Sequence, residues 1–226
     1  MAFLLNQVVP WGRTLDEYRK MFGLTDEDMK LRIAGFGDGP ASFNYELTKK
    51  GGKVTSYDIV YRFSEQELKS RIMETRDIVM KQMEENRDNY IWTDIKSLEE
   101  LERLRLGAMD LFLSDYENGR KEGRYVYHAL PERLPVEDKC YDIGLSSHFL
   151  LMYDKLGYYF HIAAIGEMLR VCHQLRIFPI CDLDGNKTEL ADSVIRYFDE
   201  EYQVEVVKSD YCFQKGGDRL LIIKEK

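Results

Sequence analysis

The chain has 226 residues, 44% of them hydrophobic and 12% aromatic, enough for one sizeable α/β domain around a packed core. Its formal net charge of −8, with no Lys/Arg cluster, argues against a nucleic-acid binder held by phosphate contacts. No apolar stretch reaches membrane-spanning length, and MAFLLNQVVPWGR lacks the basic start and long apolar run of a signal peptide. Cys140, Cys172, Cys181 and Cys212 lack metal-ligand spacing, so the expectation is a cytoplasmic protein with reduced thiols and no metal site.

All 226 residues read as a single domain, with a helical segment over 1–29 and a helical insertion over 64–122. Thr14 is placed to cap a helix from Leu15 to Phe22, with Glu17 at the capping-box position, and a short helix is expected after Thr25. Trp11, Arg13 and Tyr18 are candidates to line a ligand mouth; Trp11 and Tyr18 also suit packing on a sheet edge. A strand over 31–34 then meets Gly35, Gly37 and Gly39, and Pro40 stands near the start of a helix over 41–50. Gly51-Gly52 breaks that helix, and a second strand over 53–57 ends on Asp58. This is strand, glycine turn, helix, strand, acid. Glycines let the backbone approach a ligand, and a helix start presents free N–H groups to it. An acid ending the second strand can accept both hydroxyls of a ribose, so a nucleoside-containing cofactor is expected. The dinucleotide fingerprint does not fit: Pro40 or Ser42 falls where its third glycine belongs.

Ser64 opens a polar helix reaching 87, with Leu68, Ile72, Val79 and Met83 on one stripe. Ser97 caps another, in which Leu98, Leu101, Leu104, Ala108, Leu111 and Phe112 recur with helical spacing until Asn118-Gly119. This hairpin serves as a lid, a dimer surface or an enlarged layer on the sheet. A third strand is expected over 124–128, followed by a loop over 129–135. Tyr141-Asp142-Ile143 begins a fourth, whose carboxyl end, Ser146-Ser147-His148, opens into the crevice at the topological switch of the sheet. His148 is the candidate general base, because its pKa suits proton removal near neutrality; positioning and structural roles stay open. A helix from Tyr158 buries Ile162, Ile165, Met168, Leu169 and Cys172. His161 is a second candidate for substrate contact, and Glu167 with Arg170 makes an i, i+3 ion pair. A fifth strand is expected over 175–181, a turn over 182–186 and a helix over 188–198. Two β-branched runs over 202–223, around Lys215-Gly216-Gly217-Asp218, predict a terminal hairpin.

The glycine unit resembles motif I of the class I S-adenosylmethionine-dependent methyltransferases. Gly37-Asp38-Gly39-Pro40-Ala41 aligns with that family's G-x-G-P-G, and its ribose-binding acid falls on Asp58. Two positions depart: the acid ahead of the loop falls on Gly35, and the third glycine on Ala41. Tyr141-Asp142-Ile143 resembles motif IV, and a terminal antiparallel hairpin after five βα units is this family's topology. The resemblance implies an α/β fold: a three-layer α/β/α sandwich on a seven-stranded, mainly parallel sheet of order 3-2-1-4-5-7-6. It implies S-adenosylmethionine as cofactor and methyl transfer to an acceptor, taken here as a small molecule. Gly37, Asp38 and Gly39 would approach its methionine and ribose parts, Asp58 the ribose hydroxyls, Ile59 the adenine face, and Ala129 and Leu130 the adenine edge. Ser146, counted with the cofactor contacts, and His148 would border the acceptor pocket. Neither an N-P-P-Y motif nor a Pro-Cys nucleophile pair is present, so the acceptor is not named. The rivals are a non-catalytic domain that keeps the fold, suggested by Gly35 and Ala41, and an NAD(P)-dependent oxidoreductase. An RNA methyltransferase fits the fold but not the charge. A homodimer is the further partner expectation.

Overall fold

Residues 11–226 are described by a computed structural model. The part of the N-terminal signal reading that falls on residues 1–10 lies outside them. The strands are β1 (Arg32–Phe36), β2 (Lys53–Asp58), β3 (Tyr125–Tyr127), β4 (Tyr141–Ser147), β5 (Cys172–Phe178), β6 (Tyr202–Lys208) and β7 (Arg219–Glu225). They form one sheet in the order β3-β2-β1-β4-β5-β7-β6, parallel throughout except where β7 runs antiparallel to β5 and β6. This is the arrangement of the class I methyltransferases. The strand order reverses beside β1, which opens a crevice beyond the carboxyl ends of β1 and β4.

Six α-helices accompany the strands among the described residues: α1 (Leu15–Phe22), α2 (Phe43–Lys49), α3 (Glu65–Glu85), α4 (Leu98–Lys121), α5 (Tyr158–Val171) and α6 (Glu189–Asp199). Alternation along the strands divides the core into two layers. Ile33, Ile143 and Leu145 face α1 and α2, whereas Ala34, Phe36, Leu175, Ile177, Leu221 and Ile223 face α5 and α6. Thr14 and Glu17 cap α1 reciprocally, and Ser64 and Glu67 do the same for α3, satisfying amides that the first helical turn leaves free. Arg176 of β5 clamps α1 to the sheet, donating to Phe22 O at 3.0 Å and to Asp28 at 3.1 Å.

Several expected boundaries moved. The short helix after Thr25 is a 3-10 turn, Asp28–Lys30. β5 begins three residues earlier than its expected start at 175, because α5 runs directly into it at Cys172. Pro179, which has no amide to donate, follows its last residue. The terminal hairpin is present, but its link over 209–218 is longer than a Gly-Gly turn. This link pairs with the connection between α3 and α4: Ile91 N donates to Phe213 O at 2.7 Å, and Lys215 N to Asn89 O at 2.9 Å.

α4 packs its Met109, Phe112, Leu113 and Tyr116 with Tyr61 and Tyr125 near the β3 edge, while Val79 and Met83 of α3 reach the crevice. The hairpin is therefore both a covering layer and a wall of the crevice. Leu111, expected on the apolar stripe, is 41% exposed, and Arg105 takes a fully buried place on α4 instead.

Candidate functional site

β1 ends in the glycine turn because Gly37 and Gly39 both adopt left-handed backbone, with φ of 72° and 55°. At Gly37 a Cβ would also come within 2.8 Å of the Phe149 ring. The turn is tied down at several points. Gly37 N donates to Tyr57 O at 2.9 Å, Tyr61 Oη donates to Gly39 O at 2.8 Å, and Ser42 N donates to Arg13 O at 3.0 Å. Asp58, at the end of β2, accepts from Gly39 N at 2.8 Å and from Val60 N at 2.9 Å. Its carboxyl is pushed up by burial, against the pull of those amides. Each carboxylate oxygen keeps a lone pair for a further donor.

Asp38 resolves the first departure from the motif. A Cβ built on Gly35 would lie 1.8 Å from Asp38 Oδ2, so the Asp38 carboxylate fills the space that a side chain at 35 would take. Ser56 Oγ donates to it at 2.6 Å and Tyr18 Oη at 2.8 Å. Burial pushes its pKa up to about 6, partly offset by those two donors and reinforced by Asp58. Tyr18 is at once a core residue, stacked on Phe43 at 4.2 Å between ring centroids, and a cavity residue.

These groups border a cavity of about 390 Å³ over the carboxyl ends of the central strands. Gly37, Asp38, Gly39, Asp58, Ile59 and Leu130 line it, as does His148. Ile59 is 44% exposed, an apolar side chain next to Asp58. Ala129 and Ser146 do not line it: neighbouring His128 and Ser147 do. The pleat explains Ser146, which points into the packed sheet with no exposure, whereas Ser147 on the opposite face reaches the crevice. Asp142 stays at the far end of β4, where it pairs with Arg32 at 2.8 Å.

His148 follows β4 in left-handed backbone, with φ 53°, and its amide donates to Phe178 O at 2.6 Å. Its Nδ1 is 2.9 Å from Ser147 Oγ. Burial, and then the positive fields of Arg13 and Arg105, hold its pKa well below the usual histidine value, so the imidazole is neutral at pH 7. His161 is a structural residue. It is fully buried in α5, where Nδ1 accepts from Leu151 N at 3.4 Å and Nε2 lies 3.3 Å from Tyr153 O.

Sequence reasoning missed the network over the crevice. Arg105 donates to Glu17 at 2.6 Å and to Tyr211 Oη at 3.2 Å, joining α4, α1 and the β6–β7 link. A lone arginine within an apolar stripe was the signal. Tyr90, Phe213 and Gln214 also line the cavity.

No protein-family model matches the chain. It is 34% identical over 222 residues to the uncharacterized protein MJ0045 of Methanocaldococcus jannaschii, covering 97% of each chain. The chain belongs to the MJ0045 family. Among solved structures, it is similar to a putative S-adenosyl-L-methionine-dependent methyltransferase of Methanococcus maripaludis, at 14% identity and TM-score 0.43 over 94% of this chain and 83% of that one. It is also similar to a TehB-like SAM-dependent methyltransferase of Corynebacterium glutamicum, at 14% identity and TM-score 0.46 over 98% and 90%. The PH0226 protein of Pyrococcus horikoshii matches at 12% identity and TM-score 0.49 over 93% and 90%. These likenesses concern fold, and the site of this MJ0045 relative is read from its own residues.

Proposed function

We propose that this member of the MJ0045 family transfers a methyl group from S-adenosylmethionine to a small-molecule acceptor. The observation that carries the reading is Asp58: a buried carboxylate at the end of β2, bordering the cavity and bonded to the amide of the glycine turn. Its unused lone pairs suit ribose hydroxyls, Ile59 beside it suits an adenine face, and Leu130 and His128 suit the ring edge. The residues present therefore fit the cofactor. Asp38 filling the space above Gly35 weakens the case for a degenerated site, since a carboxylate still stands at that strand end.

The bound cofactor supplies an electrophilic methyl group. What this chain adds is alignment and exclusion of water. The carboxylates Asp38 and Asp58 favour a cationic donor in the cavity, and the apolar lining of Val79, Met83, Tyr90 and Phe213 helps keep it dry. His148, neutral and beside the acceptor space, is proposed to accept a hydrogen bond from the acceptor. Its low pKa suits it poorly to holding a proton.

Calorimetric titration with S-adenosylmethionine, S-adenosylhomocysteine and NADH, repeated on Asp58→Ala, tests the proposal. Saturable binding of both sulfur nucleosides, none of NADH and a loss of about 10- to 100-fold in the variant are expected, since hydrogen bonds to charged groups contribute about 1.5–3 kcal/mol. If neither sulfur nucleoside binds, the methyltransferase reading fails.

A further inference from the structure

Two arginines border the cavity and share the field of one carboxylate, Glu17. Arg105 has Glu17, whose oxygens are taken up by Arg105, Tyr211 Oη and the Thr14 amide and hydroxyl. Arg13 makes no ion pair of its own among the described residues, and Glu17 acts on it only at longer range. The one hydrogen bond its side chain makes there runs from Nη1 to Trp11 O at 3.3 Å, and its Nε is shut off from solvent with no acceptor. Two guanidinium groups around one carboxylate leave a surplus positive charge, and with the Nε of Arg13 lacking an acceptor the site is ready for an anion.

Asp38 and Asp58 stand at the glycine turn, whereas Arg13 and Arg105 exert their field on His148 at the end of β4. Tyr211 and Tyr153 feel Arg13 as well. Arg13 bonds the carbonyl of Trp11, whose side chain packs with the apolar side chains Val79, Met83, Tyr90 and Phe213; all five residues line the cavity with Arg13.

We propose that the acceptor is a carboxylic acid with an apolar body, its carboxylate held by Arg13 and its body packed against those apolar side chains. Arg13 presents a planar fork of donors that matches a carboxylate, and the pairing neutralises the acceptor's charge as it leaves water. Held in this way, the carboxylate is a handle for orientation. The inference rests on the methyltransferase reading only for the word acceptor; the anion site stands on Arg13.

The test compares wild type, Arg13→Gln and Arg13→Lys by thermal shift and calorimetry. The probes are benzoate, 4-hydroxybenzoate and indole-3-acetate, each against its amide, with and without saturating S-adenosylhomocysteine. Wild type is expected to prefer at least one acid over its amide by 10-fold or more. Arg13→Gln should erase that preference and Arg13→Lys should keep part of it. The Gln variant without ligand should melt no lower than wild type, because it removes one of two cations gathered around a single carboxylate; a merely structural arginine would lower the melting temperature. Titration with S-adenosylhomocysteine and 5′-methylthioadenosine separates the sources of the carboxylate. If Arg13→Gln weakens the first 10-fold or more and leaves the second unchanged, Arg13 holds the cofactor's own carboxylate and the proposal is overturned. Equal binding of acids and amides by wild type overturns it too. If acids bind Arg13-dependently but no sulfur nucleoside binds wild type, the anion site survives and the methyl-transfer reading falls.

Discussion

At the scale of single residues, the Asp38 carboxylate couples three positions that look independent along the chain. Gly35→Ala should be destabilising, because its Cβ would sit 1.8 Å from Asp38 Oδ2 and would push that buried carboxylate off Ser56 and Tyr18. In Asp38→Ala the same change should be tolerated, and a double-mutant cycle by urea unfolding should show coupling of about 1–3 kcal/mol. Titration gives a second handle. The folded pKa of Asp38, about 6, lies above its ordinary value of 3.8, so folding favours the protonated acid. That contribution is complete below about pH 4 and is lost as pH rises through 6, a change of about 3 kcal/mol at 1.36 kcal/mol per pKa unit. The stability difference between wild type and Asp38→Asn should therefore fall by that amount between pH 4 and 7. The sequence showed a glycine where an acid was expected; it could not show the replacement, because that depends on the turn folding Asp38 back over β1. Asp58 was readable since its position follows from strand length alone. Ser146 and Ser147 differ only by the pleat, and a one-residue uncertainty in register exchanges them.

At the scale of elements, what is local was legible and what is shared was not. The capping box of α1 lies within four consecutive residues and stands where its spacing put it, and Ser64 opens α3 as expected. The buried stripe Leu68, Ile72, Val79, Met83 of α3 followed from periodicity in the same way. Arg105 did not, because its partner Glu17 lies 88 residues earlier and meets it only when α1 and α4 close over the crevice. Burial alone would raise the Glu17 pKa, but Arg105 and Arg13 hold it below the ordinary carboxylate value. Arg105→Met should consequently cost about 3–5 kcal/mol in denaturant unfolding, since it strands a buried carboxylate. Adding Glu17→Gln should recover part of that loss. The hairpin α3–α4 and the β6–β7 link share a two-bond bridge, so Ile91→Pro, which removes the amide donating to Phe213 O, should speed amide hydrogen exchange over 209–218 as well as over 86–96.

At the scale of the whole molecule, the sheet order follows from few signals: one glycine turn, one acid, alternating helices and strands, and a terminal hairpin. Chirality and crossover rules leave little freedom once those are placed. The net charge of −8 acts at longer range. Given the proposed donor, cationic S-adenosylmethionine should lose affinity as salt rises, whereas S-adenosylhomocysteine, a zwitterion without net charge, should be nearly indifferent; calorimetry at about 20 and about 300 mM salt compares them. The bridge between Asn89–Ile91 and Phe213–Lys215 has a consequence in time. A ribosome makes β1, β2 and the α3–α4 hairpin long before residue 213 emerges, so the nascent chain carries the glycine turn and Asp58 with one wall of the chamber still missing. Ligand capture thus becomes a late event of synthesis, and arrested chains that stop short of the bridge should neither retain nucleoside nor gain its protection from proteolysis.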